Sequence, residues 1–247
     1  MLATRGLGLD IGGATIVADV GLEVREGELL GIIGPNGAGK TSLFNLLSGL
    51  YRPTAGRVEL GGRDVTGEPP HRRAHAGLGR TFQISSVFPR LSVLENVRLA
   101  AEARLGGTMR VWRRAGGVRE AVERARSALG RVGLEAREAS DAGSLSHGDK
   151  RKLELAMLLA GEPRVILLDE PMAGVSAEEV PGLVDVIRSV QQEEGRTVLM
   201  VEHHIDVVTG LAERIAVMHH GRLLAVDTTE NVMRNDEVQA AYLGEPL

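Results

Sequence analysis

Nine residues carry the most specific chemistry in the chain: Gly34, Pro35, Asn36, Gly37, Ala38, Gly39, Lys40, Thr41 and Ser42. They match G-x-x-x-x-G-K-[ST], the pattern of a loop that cradles phosphate. Gly34, Gly37 and Gly39 accept backbone conformations closed to other residues, so successive N–H groups can turn inward around an anion. Lys40 would reach terminal phosphates and the Thr41 hydroxyl would ligate Mg²⁺. Only three lysines occur, at 40, 150 and 152, so a Lys at this position stands out against an arginine-rich background.

Other candidates are weaker one by one. Asp169 and Glu170 end the apolar run Val165-Ile166-Leu167-Leu168. The plain reading is a strand meeting a polar turn; beside a phosphate loop, Asp169 can hold Mg²⁺ and Glu170 can orient a water. Gln83 ends Gly77-Leu78-Gly79-Arg80-Thr81-Phe82-Gln83, either as a polar strand end or as an amide that coordinates a metal. Ser146, with Asp149 three residues on, can cap a helix or open a second anion site. His203 follows Arg196–Val201, at a strand edge where open α/β sheets bind ligands.

Elements must hold these residues in place. Leu29–Ile33 reads as a buried strand before the loop, and Leu43, Phe44, Leu46, Leu47 and Leu50 continue as a helix ending near Gly49. Leu7–Ile11, Val20–Val24 and Arg57–Leu60 read as short strands of a small antiparallel sheet, the last closed by a hairpin at Gly61-Gly62. A capping box at Ser92 opens a helical region with a second helical stretch at 120–132. A helix over 150–160 should bury Leu153, Met157 and Ala160, and another runs over 177–194. Strands at 214–218 and 222–226 precede two short terminal helices, 229–233 and 235–243. Arg104, Arg110, Arg113, Arg114 and Arg119 form a basic cluster, read as a solvated face or a partner contact.

Composition sets the bounds. At 247 residues, 43% hydrophobic, the chain can bury a substantial core. A net charge of −4 and 2% aromatics argue against nucleic-acid binding. Without Cys there is no disulfide or thiolate chemistry. No apolar run reaches the ~18 residues of a membrane span, and no signal peptide is read, so a cytoplasmic chain is expected.

The order and spacing of these motifs resemble the nucleotide-binding subunit of ABC transporters along essentially the whole chain. The resemblance implies an α/β P-loop NTPase (RecA-like) fold: a mainly parallel sheet core, a small antiparallel β subdomain and an inserted α-helical subdomain. The core and β subdomain would take 1–83 and 151–247, and the helical subdomain 84–150, within one ABC ATPase domain. It implies ATP and Mg²⁺ as cofactors. Lys40 and the loop amides would hold the phosphates, with Thr41, Gln83 and Asp169 around Mg²⁺. Glu170 matches the catalytic glutamate and His203 the switch histidine. Ser146 and Gly148 match the signature motif, which binds ATP held by a second ABC ATPase subunit, the same chain or a paralogue.

Three departures stand out. The signature reads Leu-Ser-His-Gly-Asp, with His147 and Asp149 in place of Gly and Gln. Ile11 takes the place of the aromatic that stacks on adenine, and Ser176 replaces an Asp. The segments GRTFQ, LSHGDKRKLELA, LLDEPMAGVSAEE and VEHHIDVV resemble branched-chain amino-acid importer ATPases. The urea and short-amide group is very similar, and the lipopolysaccharide-export ATPase is more distant. The implied partners are transmembrane permease subunits and, through them, a solute-binding protein, at the inner face of the cell membrane. A permease-free soluble ABC ATPase is the competing class. A P-loop kinase or GTPase leaves Ser146, Glu170 and His203 without a role.

Overall fold

The computed structural model describes residues 1–81, 87–105 and 115–243. The chain divides into two compact units. One comprises Met1–Arg80, Arg164–Glu170 and Val190–Leu247; the other Thr81–Pro163 and Pro171–Ser189. The second extends beyond the 84–150 expected from sequence, taking in the rest of the helix that begins at the signature and the segment that follows Glu170.

In chain order the first unit opens with β1 (Leu2–Ile11), β2 (Ala14–Val20), β3 (Glu23–Val24), β4 (Leu29–Ile33), α1 (Lys40–Ser48), β5 (Ala55–Leu60), β6 (Arg63–Asp64), α2 (Pro70–His75) and β7 (Leu78–Arg80). Then come α3 (Val93–Arg104), α4 (Ala115–Arg131) and α5 (His147–Leu159), which pack on one another within the second unit. The chain continues through β8 (Val165–Asp169), α6 (Val180–Gln192), β9 (Thr197–Val201), α7 (Ile205–Leu211), β10 (Arg214–His219), β11 (Arg222–Thr228), α8 (Thr229–Met233) and α9 (Asp236–Leu243).

One sheet runs β11-β10-β4-β9-β8-β7, parallel except for the β10–β11 hairpin. Its inner strands β4, β9 and β8 are buried along their whole length, as strands covered on both faces must be. The other sheet runs β2-β1-β5-β6, with β3 also on β1, and is antiparallel throughout. One apolar core serves both: Leu30, Ile32, Phe44, Leu47, Leu167 and Val201 from the parallel side meet Leu2, Leu7 and Val58 from the other. This is the α/β architecture expected from sequence, a mainly parallel sheet with a small antiparallel one beside it and helices inserted between β7 and β8.

Local signals explain most boundaries. Gly49 ends α1 with φ 80°, its N–H donating to Leu46 O. The Ser92 hydroxyl accepts from Glu95 N at 3.1 Å and starts α3. α5 buries Leu153, Glu154, Leu155, Ala156 and Leu159, continued by Ala160, whereas Met157, expected among them, is only half-buried. Among the described residues no helix is long and apolar enough to cross a membrane.

Candidate functional site

The parallel register sets the site. Ile32 of β4 lies beside Val201 of β9, and Val201 beside Asp169 of β8. One or two residues further on, each strand delivers a candidate to the same carboxyl edge: Gly34 from β4, His203 from β9 and Glu170 from β8.

The loop after β4 is held from behind. A Cβ at Gly34 would sit 2.2 Å from Met218 O, so only glycine lets β4 turn here against β10. Gly39 has φ 96° and directly precedes α1. The loop is braced by the β10–β11 turn: Gly221 N donates to Ala38 O at 3.1 Å, and Ala18 N of β2 donates to Gly221 O at 2.8 Å. Lys40 is buried, and its ammonium donates to Gly34 O at 2.5 Å and Pro35 O at 3.0 Å. Asn36, Gly37 and Thr41 are exposed, Pro35, Gly39 and Ser42 half-buried, and Ala38 buried. The loop therefore presents polar groups outward from a fixed base, where the positive end of α1 also points.

Asp169 and Glu170 differ in setting. Asp169 is buried and accepts from Arg80 Nη2 at 2.9 Å. Burial pushes its carboxyl above the usual Asp range, and the Arg80 hydrogen bond and charge oppose that rise. Glu170 is more open and has φ 50°, a left-handed conformation that costs a non-glycine residue about 1–3 kcal/mol and is typical of functional positions. Its N–H donates to Val201 O at 2.9 Å, and its Oε1 lies 2.9 Å from His203 Nε2. His203 is aimed by its own backbone, whose N–H donates to Glu202 Oε2 at 3.0 Å; Glu202 is buried. Glu170, His203 and the loop thus share one edge, as the sequence suggested.

Ile11 ends β1 at the tip of the β1–β2 hairpin, paired with Ala14 and 51% exposed. An open apolar side chain there can lie against a planar base without stacking on it. Gln83 lies outside the described residues, as do Arg110, Arg113 and Arg114 of the basic cluster.

In the other unit, Ser146 is the N-cap of α5 and its hydroxyl accepts from Asp149 N at 3.1 Å. The same hydroxyl donates to Glu179 Oε1 at 2.6 Å, and Ser176 donates to Glu179 Oε2 at 3.0 Å. These bonds, with the Ser146 bond foremost, hold the Glu179 carboxyl below its usual range. Gly148 is buried, and a Cβ there would come within 2.7 Å of the Glu179 carboxylate. The start of α5 therefore already receives an anion, a carboxylate from its own unit.

Sequence reasoning missed Arg80 and Glu179. Arg80 could have been suspected as a charged residue ending a short strand, directed to the edge where Asp169 lies. Nothing in the run Ser176-Ala177-Glu178-Glu179 tells which carboxylate turns back to Ser146.

A family model described as "ABC transporter" matches residues 17–173. The chain is 38% identical, over 99% of its length and 98% of the relative's, to the "High-affinity branched-chain amino acid transport ATP-binding protein LivG" of Salmonella typhimurium. Among solved structures, an ATP-binding cassette of an ABC transporter in its ADP conformation superposes with a TM-score of 0.87 at 29% identity, covering 99% of both chains. A dimeric bacterial ABC transporter cassette superposes with a TM-score of 0.77 at 25% identity, over 93% of this chain and 99% of that one.

Proposed function

The chain belongs to the ABC transporter family, whose cassettes bind and hydrolyse ATP, and on that premise we propose that it drives an importer of branched-chain amino acids from the inner face of the cell membrane. One observation carries the mechanism: the parallel register that sets the glycine loop, Glu170 and His203 along a single sheet edge. The cargo rests on the LivG likeness, which runs the length of the chain.

Each residue has a task in this reading. The loop from Gly34 to Gly39 offers its N–H groups to the β- and γ-phosphates, and Lys40 turns its ammonium from the loop carbonyls to them. Ile11 packs on the base. Thr41 and Asp169 are hard oxygen donors, one exposed and one buried, with Gln83 as the third. Among the described residues no cluster of three or more His, Cys, Asp or Glu is placed to cage a metal. One hydroxyl and one carboxylate suit Mg²⁺, which takes one or two carboxylates and completes its shell with water and phosphate. When bound, it neutralises charge that builds on the phosphates. Glu170 orients the attacking water, and His203 steadies Glu170 and reaches the γ-phosphate.

Ser146 and Gly148 meet the γ-phosphate of ATP held by a second cassette, the same chain or a paralogue. Closure of the pair is passed to transmembrane permease subunits, which receive cargo from a solute-binding protein.

The test has two parts. Glu170→Gln should keep ATP affinity and lose about 10²–10⁴-fold in phosphate release. Cells lacking the gene should lose binding-protein-dependent uptake of leucine, isoleucine and valine, restored by the wild type and not by Glu170→Gln. Normal phosphate release by the variant would remove Glu170 from its role, and undiminished uptake would overturn the cargo.

A further inference from the structure

Arg80 ends β7, paired in register with Leu167, two residues before Asp169. Its side chain is 7% exposed, and that of Asp169 is fully buried. Nη2 donates to Asp169 Oδ2 at 2.9 Å. Nη1 donates to Asn45 Oδ1 at 2.7 Å and to Ser48 Oγ at 2.8 Å, both on α1. The guanidinium carbon lies 5.7 Å from the centre of the buried Phe44 ring, also on α1. One planar group therefore ties the carboxylate at the end of β8 to the helix that begins with Lys40 and Thr41.

We propose that Arg80 is the positioning residue for the magnesium carboxylate, holding Asp169 by Oδ2 in the one orientation in which it meets a metal beside Thr41. The inference rests on the reading of Asp169 as a metal ligand. Its ground is rigidity. Arg80 is held against α1 three times, by Asn45, by Ser48 and by the face of the Phe44 ring, so its guanidinium is fixed before a cation arrives. A carboxylate tethered by one oxygen loses its rotational freedom before binding, and such outer partners tune metal affinity strongly. Only a guanidinium can do this: its planar fork serves three acceptors at once and lies on a ring, whereas an ammonium is a point donor. The two metal donors, Thr41 and Asp169, are thereby set in register through a residue that touches neither metal nor nucleotide.

The probe is Mn²⁺ in the presence of a non-hydrolysable ATP analogue, with free Mn²⁺ read by electron paramagnetic resonance. Arg80→Met should weaken Mn²⁺ binding by about 10–100-fold, with Arg80→Lys between it and the wild type. Affinity for the analogue in EDTA should not change. Unchanged Mn²⁺ affinity in Arg80→Met, when Asp169→Asn weakens it, would overturn the proposal and leave Arg80 a structural tie. Unchanged affinity in Asp169→Asn would instead overturn the ligand assignment beneath it. Should Arg80→Met fail to fold, Asn45→Ala keeps the charge and loosens the anchor; it should lower Mn²⁺ affinity severalfold, and no change there would equally sink the proposal.

Discussion

Two carboxylates show how much a residue's neighbours decide. Asp169 and Glu170 are adjacent in sequence, yet one is buried against Arg80 and the other half-open against His203. Glu179 is a third case, half-buried and bonded by Ser146 and Ser176. Its carboxyl is depressed in the folded state, so its contribution is present above the unfolded carboxylate range, ~4, and is lost as pH falls through the lower folded value. Glu179→Gln should therefore melt below the wild type at pH 7, and the gap should close as pH drops below ~4. Melting curves of both proteins from pH 7 to pH 3 check this; a gap that persists at low pH would mean that charge at Glu179 is not what holds Ser146.

At the scale of elements, α1 carries both the loop and its own weak point. Its last carbonyls have no partners inside the helix. Arg73 of α2 supplies them: Nη1 donates to Leu46 O at 2.7 Å and Leu47 O at 2.8 Å, Nη2 to Thr66 O at 2.9 Å and Nε to Glu68 O at 3.0 Å. Arg73 is buried, and that burial pulls its pKa down. Arg73→Met leaves Leu47 O, Thr66 O and Glu68 O without the donor Arg73 gives them, while Leu46 O keeps Gly49 N, and urea denaturation should show a loss of about 2–4 kcal/mol. Neither α2 nor its role is legible in Pro69-Pro70-His71-Arg72-Arg73, although Pro70 at the first helical turn is a valid start signal. β1 also begins earlier than its apolar pattern suggests. Thr4 takes a core position, donating to Val20 O and accepting from Leu22 N, each at 2.9 Å, and its hydroxyl hides the alternation. α7 is not legible because it is only seven residues long, rich in β-branched residues and interrupted by Gly210. Val208 fits against Gly31 so tightly that a Cβ there would lie 2.4 Å from its Cγ1. By contrast, strand–loop–helix at Gly34 was readable because one local motif fixes turn, helix start and anion together. The partners of Asp169 and Ser146 were not, because Arg80 and Glu179 lie 89 and 33 residues away in sequence.

For the whole molecule, the candidate residues fall into two sets that the chain itself keeps in different compact units: Lys40, Asp169, Glu170 and His203 in one, Ser146 and Gly148 in the other. If each nucleotide is completed by the signature of a second copy, defects in the two sets are complementary. Lys40→Ala removes a phosphate ligand and leaves the signature intact. Ser146→Asp keeps an oxygen to cap Asp149 N, loses the bond to Glu179, and sets a negative charge against both Glu179 and an incoming γ-phosphate. Each variant alone should hydrolyse ATP poorly. In a mixed pair one composite site is wholly wild type, because an isologous two-fold pair uses the same surface of both copies reciprocally. Mixing the two variants should therefore restore hydrolysis that neither shows alone, rising with the fraction of mixed pairs. Phosphate release measured across mixing ratios decides it. A flat response at every ratio would mean that copies of this chain do not complete each other's sites, and the second signature would then have to come from a different cassette.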